Sequence, residues 1–313
     1  MGGPDVNPTK NLRGVLPVFQ MPYHDDESID YTTLDQHIDW IYEQGAHGLV
    51  FAMVSEVLRL SDRERRQVAE HLCKTNRDRG AVIISVGAES THTACELARH
   101  AESVGADAIM AIPPVSTAID EAELRHYYDR LANALTIPVI VQDASGYVGK
   151  PMSIDFQAAL RRDLGDRIMF KPEATPIGPR LSALREATAG QADIFEGTGG
   201  IALVDSYRRG IVGTMPGGDL VWALAALWQA LEAGDDQRTY RISLPLSSLV
   251  AIQTSLDSFL AVEKYLLQKQ GVFPNTVVRG PRGYQLDEET RQEVDRLFDL
   301  LTASVYDMAG ESA

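Results

Sequence analysis

Cysteine is almost missing from this chain of 313 residues: Cys73 and Cys95 stand alone, without C-x-x-C spacing. Neither a disulfide framework nor a cysteine-held zinc is suggested, and both residues are expected to pack on helices. The seven histidines include no H-E-x-x-H or paired spacing, so no metal is expected. His92, just after the third predicted strand, is expected at the surface or at a helix cap. Positive charge is also short, with 29 Lys and Arg against 44 Asp and Glu for a net charge of −15. That balance argues against nucleic-acid binding, and an anionic substrate must be attracted by a local site instead of the global field. No run reaches the roughly 18 apolar residues of a membrane span. The start MGGPDVNPTKNLRG lacks the basic and apolar regions of an export signal. The expectation is a cytoplasmic protein with no membrane partner. Low-complexity tracts and Ser/Gly linkers are absent, and 44% apolar with 23% charged residues is a globular profile.

What the chain has is alternation. Short apolar runs occur at 14–19, 47–52, 81–87, 107–112, 138–143, 167–173, 192–197 and 210–215, with amphipathic stretches between them. Such a pattern makes parallel strands joined by crossover helices. One helical stretch, YTTLDQHIDWIYEQG, ends at Gly45, and another begins with Ser61 and Glu64 spaced as a capping box. Eight units predict an α/β protein, a closed (β/α)8 TIM barrel over residues 12–235, after a flexible N-terminus at 1–11. Residues 236–313 read as a C-terminal helical extension, a cap or an interface.

In such a barrel the functional residues sit at the C-terminal ends of the strands and in the loops that follow. The sharpest candidate is Lys171 in IMFKPEATP, where a buried strand ends in a lysine. An ε-amine desolvated inside a barrel can lose its proton and attack a ketone to form a Schiff base; the plainer alternative is a structural lysine paired with Glu173 or Glu196. Strand alternation puts Lys171 and Glu173 on the same side. Gln142 and Asp143 end the fifth strand. The stretch AMVSEVLRLS offers Val54, Ser55 and Glu56, with backbone N–H groups, to a substrate carboxylate. The glycine-rich pieces GTGG, opening at Gly197, and GTMPGGD, opening at Gly213 beside Val212, suit close backbone approach to a sugar-like substrate; neither matches a P-loop or a dinucleotide fingerprint.

With a lysine ending strand six, V-Q-D-A ending strand five and S-E after strand two, the chain resembles the dihydrodipicolinate synthase / N-acetylneuraminate lyase family of Schiff-base barrel lyases, from about residue 12 to 310. K-x-E-A together with V-Q-D-A and A-x-x-S-E is similar to the L-2-keto-3-deoxyarabonate dehydratase-like members. The resemblance implies that Lys171 forms the imine and that residues 53 to 56 hold the 2-oxo-acid carboxylate. It also implies that no external cofactor is needed and that the protein is a homodimer or homotetramer. Departures from the family pattern are equally informative. Ala52, Met53, Val54, Ser55 and Glu56 stand where lysine-pathway synthases have G-T-T-G-E. The relay tyrosine of strand five falls at Gln142, whose amide cannot exchange a proton as a phenol does. Its partner across a dimer contact falls near Val115, and the arginine that holds an aspartate-semialdehyde carboxylate falls near Tyr147. The implied activity is therefore a lyase acting on a 2-keto-3-deoxy sugar acid, foremost a dehydratase with Lys171, Glu173 and Gln142 as catalytic residues. A pyruvate-dependent aldolase and a catalytically silent barrel that binds a 2-oxo acid are the alternatives.

Overall fold

The structure, a computed structural model, describes residues 12–146 and 149–306. The expected flexible stretch 1–11, and Tyr147, lie outside them. The described chain has eight short strands: β1 (Gly14–Val15), β2 (Gly48–Phe51), β3 (Ala81–Ser85), β4 (Ala108–Ala111), β5 (Val139–Asp143), β6 (Ile168–Pro172), β7 (Phe195–Glu196) and β8 (Gly213–Thr214). Each lies inside one of the apolar runs. All pairings are parallel, in a ladder from β2 to β6 and a second of β1, β8 and β7. Single bridges from Val18 to Val50 and from Phe170 to Ile194 join the two ladders into a closed barrel. The join at β1 is short because Pro17 has no N–H to give; its carbonyl instead accepts from Val50 N at 2.9 Å.

Period-two alternation sorts the strand residues. Leu16, Val18, Val50, Ala52, Ile83, Met110, Ile140, Met169, Phe195 and Met215 belong to the cluster that fills the barrel. Their neighbours Leu49, Phe51, Ile84, Ile109, Val141 and Phe170 pack outward against the helices. Two residues beyond Ile140 and Met169 come Gln142 and Lys171, which therefore inherit the inner face. Asp143 inherits the outer one.

The connecting helices begin as their sequences dictate. In α1 (Tyr31–Glu43) the Asp30 side chain accepts from Thr33 N, and Gly45 just past its end takes φ +94°. In α2 (Asp62–Asn76) Ser61 and Glu64 cap each other reciprocally. Cys73 and Cys95 form no disulfide and lie on helices. After the barrel, the apolar helix at Val221–Glu232 is buried on nearly every side, between β1 and the helices that follow. Those helices are Asp236–Ala251, Leu256–Lys269 and Glu288–Tyr306, with no strand among them. The apolar run LPLSSLVAI in the first of them is largely used at home: Leu246, Leu249 and Val250 are buried, and only Leu244 projects strongly, at 64% exposure. No helix among the described residues is long and apolar enough to cross a membrane.

The Leu256–Lys269 helix is tied to the barrel by charge. Lys264, fully buried, donates to Glu56 Oε1 at 2.5 Å and to the Val277 carbonyl at 2.6 Å. Glu56 also accepts from Arg279 N at 3.1 Å and occupies a left-handed backbone position, φ +56°, between the 3-10 turns Met53–Ser55 and Val57–Arg59. The cations of Lys264 and Arg279 lie 4.6 and 4.7 Å from the Tyr23 ring centroid. Burial pulls the Lys264 ammonium down to about 8, against the opposing pull of Glu56. Breaking one side of a buried pair leaves an uncompensated charge, a loss of about 3–5 kcal/mol. Glu56→Ala is expected to lower stability by that amount in chemical denaturation, and Glu56→Leu combined with Lys264→Met to recover most of it.

Candidate active site

At the C-terminal end of the barrel a pocket with about 50 Å³ of free volume opens between the ends of β1, β2, β5, β6, β7 and β8 and the Leu256–Lys269 helix. On its floor Lys171 Nζ donates to Glu173 Oε1 at 3.0 Å, and Gln142 Nε2 donates to Glu173 Oε2 at 2.7 Å. Lys171 and Glu173 are 4% and 5% exposed. Burial raises the pKa of the Glu173 carboxyl, and the Glu196 charge adds to it; the Lys171 charge and the Gln142 hydrogen bond oppose this. The choice left open between Glu173 and Glu196 as the partner of Lys171 falls to Glu173. Glu196 instead accepts from Thr214 Oγ1 at 2.6 Å and from Thr198 N at 2.5 Å, which holds the glycine-rich loop after β7. Gly197 in that loop stands directly over the pair. A Cβ there would come within 2.6 Å of Lys171 Cε and 2.7 Å of Glu173 Oε1, so only glycine lets the loop lie this close.

The remaining sequence candidates divide. Val54 lines the pocket with Ala52 and Met53. Ser55 does not: its hydroxyl is fully buried and donates to the Phe19 carbonyl at 2.5 Å, so it fixes the loop instead of meeting a ligand. Glu56 is committed to Lys264 and Arg279. Asp143, on the outer face of β5, accepts from Ser145 N at 3.2 Å and Met152 N at 3.0 Å, with Arg180 at 3.6 Å, and so secures the loop after its strand. Val212 lies at the opposite mouth of the barrel, in a groove with Arg13, His47 and Gly80. Gly213 opens β8 and pairs with Gly14, one layer below the pocket. The strand starts at Gly213 and ends at Thr214, so the residues that reach the pocket are Met215, Pro216 and Gly217. His92 is exposed on the helix Thr91–Ser103.

Sequence reasoning missed the wall of the pocket contributed from beyond the barrel. Glu263 lines the pocket at 3% exposure and accepts from Gln20 Nε2 at 2.6 Å. Asp219 lies beside it: a Cβ on Gly217 would be 2.2 Å from Glu263 Oε1 and 2.8 Å from Asp219 Oδ1, so the two oxygens are no further apart than those distances together. Burial pushes Asp219 up to about 7; burial, reinforced by the neighbouring Asp219, puts Glu263 well above the usual carboxylate range. The signal that was available is AVEKYL, a glutamate and a lysine adjacent in an otherwise apolar helix, which places charges on two faces and marks both as paired.

The family model described as the dihydrodipicolinate synthetase family matches residues 11–300. The chain belongs to that family. It is 28% identical to an L-2-keto-3-deoxyarabonate dehydratase of Azospirillum brasilense over 91% of this chain and 93% of that protein. It is also 28% identical to a 4-hydroxy-tetrahydrodipicolinate synthase of Bartonella quintana (strain Toulouse), over 91% and 96%. The crystal structure of dihydrodipicolinate synthase from Rhodopseudomonas palustris superposes with a TM-score of 0.85 at 25% identity, covering 93% of this chain and 98% of that one. The chain is thus a dihydrodipicolinate-synthetase-family lyase with the family's (β/α)8 barrel.

In this family member the Asp219–Glu263 pair gives a pH signature. An unfolded aspartate gives up its proton near pH 4, whereas Asp219 keeps its own to about 7. Between those values the native state binds more protons than the unfolded chain, so the contribution of the pair to stability falls as pH rises through that window. Asp219→Asn removes the penalty. The melting temperature of the variant minus that of the native protein is expected to grow between about pH 5 and pH 8; a constant difference would contradict the assignment.

Proposed function

We propose that this lyase is a Schiff-base hydro-lyase acting on a 2-keto-3-deoxy sugar acid. The observation that carries the proposal is the buried trio in which Lys171 and Gln142 both donate to the Glu173 carboxylate at the floor of the pocket. Glu173 Oε1 takes the proton of Lys171, and the freed amine attacks the C2 carbonyl with loss of water to give the imine. The imine acts as an electron sink, and a proton leaves C3 to give the enamine. The electron pair of the enamine then expels the C4 hydroxyl, which departs as water once protonated. Glu173 is the group in reach for these transfers, and its raised pKa suits it to give back a proton it has taken. The C1 carboxylate meets the backbone at Ala52–Val54, because the Ser55 hydroxyl is already spent on Phe19.

Gln142 favours dehydration over retro-aldol cleavage. Cleavage needs a group that removes the proton of the C4 hydroxyl, and the amide at this position holds Glu173 in place but cannot exchange a proton itself. Lys171 is also singled out among the lysines by place: Lys264 is fully buried on Glu56, and Lys150 is exposed in the loop after β5.

Borohydride reduction with pyruvate or a 2-keto-3-deoxypentonate is expected to add the ligand mass to the peptide carrying Lys171. Glu173→Gln should cut turnover by roughly 10²-fold or more, the usual worth of general acid–base catalysis, while the final yield of adduct is kept. Products from 2-keto-3-deoxypentonates should be a 2-oxo-acid semialdehyde with no pyruvate. An adduct on Lys150, or none with any 2-oxo acid, overturns the imine assignment. Stoichiometric pyruvate release overturns the dehydratase in favour of the aldolase.

A further inference from the structure

The pocket has two polar sides. One is the floor of Lys171, Glu173 and Gln142, which the proposed chemistry uses in full. The other is the wall made by Glu263, with Gln20 and Asp219 behind it, which that chemistry leaves idle. A small cavity lined by Asp219, Gln253 and Glu263 adjoins the pocket, and Glu263, Gly199, Gly217 and Phe259 belong to the walls of both. Glu263 is therefore the partition between them, with one side turned to whatever fills the pocket.

The wall is not a closed structural network. Gln20 Oε1, fully buried, and Asp219 Oδ2 have no hydrogen-bond partner. Buried polar atoms of this kind cost about 1–3 kcal/mol each unless something supplies the missing bond. The lysine next in sequence does not neutralise the wall, because Lys264 Nζ is turned to Glu56 and Val277. A cation is a poor fit as well. Among the described residues no three His, Cys, Asp or Glu side chains gather to hold a metal, and the donor that faces Glu263 is itself an amide N–H of Gln20. What suits two crowded carboxyl groups and an amide is a neutral molecule with hydroxyl groups, which can donate to one oxygen and accept from another. A second anionic group would instead lose its water beside two carboxyl groups with no cation to pair it, since Lys264 is turned away.

We propose that Glu263, backed by Asp219 and Gln20, is the specificity wall of the site: it hydrogen-bonds the hydroxylated tail of the 2-oxo acid held at Lys171 and turns away tails that end in a second carboxylate. The substrate class is thus a 2-oxo acid with a neutral polyol tail. This rests on the imine reading of Lys171, and the test separates the two. The measurement is half-saturation of borohydride trapping for three probes: pyruvate, which has no tail, a 2-keto-3-deoxypentonate, and 2-oxoglutarate. The native protein should prefer the pentonate to pyruvate and accept 2-oxoglutarate at least tenfold less readily than the pentonate. Glu263→Met should lower the preference for the pentonate over pyruvate by tenfold or more, and Glu263→Gln, which keeps a donor and an acceptor of the same shape, should retain it. An unaltered tail preference in Glu263→Met, or native trapping of 2-oxoglutarate equal to that of the pentonate, overturns the wall while leaving the imine assignment standing. Absence of trapping with every probe overturns both.

Discussion

Lys171 holds an ammonium at 4% exposure on the inner face of a barrel whose lower layers are apolar. A charge in that position costs several kcal/mol unless it is paired and hydrogen-bonded. Its partner is the carboxylate two residues further along the same strand, at 3.0 Å. Much of the upper barrel follows from keeping that pair intact. Gln142, one strand over and in register with Lys171, takes the second oxygen of Glu173. The loop after β7 passes over them without a side chain at Gly197, and Gly146 admits the Glu173 backbone with similarly little room. On the proposed reading the same constraint prepares chemistry. A lysine whose counter-ion is also its nearest base can lose a proton within the pair, with no movement of solvent into the site.

A second charge system stands on the other side of the pocket and is kept apart from the first. Glu263 and Lys264 are adjacent in sequence, yet one reaches the pocket and Gln20 while the other reaches Glu56 and the Val277 carbonyl. Had they paired with each other, the wall would be neutralised and the loop after β2 would lose its anchor. The helical periodicity of about 100° per residue keeps neighbours from facing the same way, so one short segment can serve two separate functions.

The fold was legible because its signals are local and repeated. Eight apolar runs bounded by glycine, proline and helix caps leave little choice of architecture, and Met169, Lys171 and Glu173 share a face by simple alternation. Asp143 fails as a pocket residue by the same rule, being one residue out of phase with Gln142. Val212 and Gly213 were misplaced because β8 is only two residues long, and sequence does not show where within an apolar run the ladder begins and ends. Ser55 looked available for a carboxylate since its acceptor, the Phe19 carbonyl, comes from a strand connection 36 residues away. The acidic wall was beyond reach for a related reason: Gln20 and Glu263 are separated by 243 residues, and no local pattern pairs them.

The helix after the barrel therefore has a larger part than covering an apolar face. Through Lys264 it fixes Glu56, and Glu56 sits in a left-handed backbone position that an L-residue adopts at a cost unless its surroundings hold it there. That position ends the 3-10 turn whose first residues, Met53 and Val54, line the pocket. Through Glu263 the same helix lines the pocket that holds Lys171. Docking of Leu256–Lys269 thus sets both the backbone where a carboxylate would rest and the wall that a substrate tail would meet. A barrel without this helix would keep the Lys171–Glu173 pair, since that pair is made entirely by β5 and β6 and the residues at their ends. On the proposed reading, it would lack the surfaces that decide which 2-oxo acid reaches the pair.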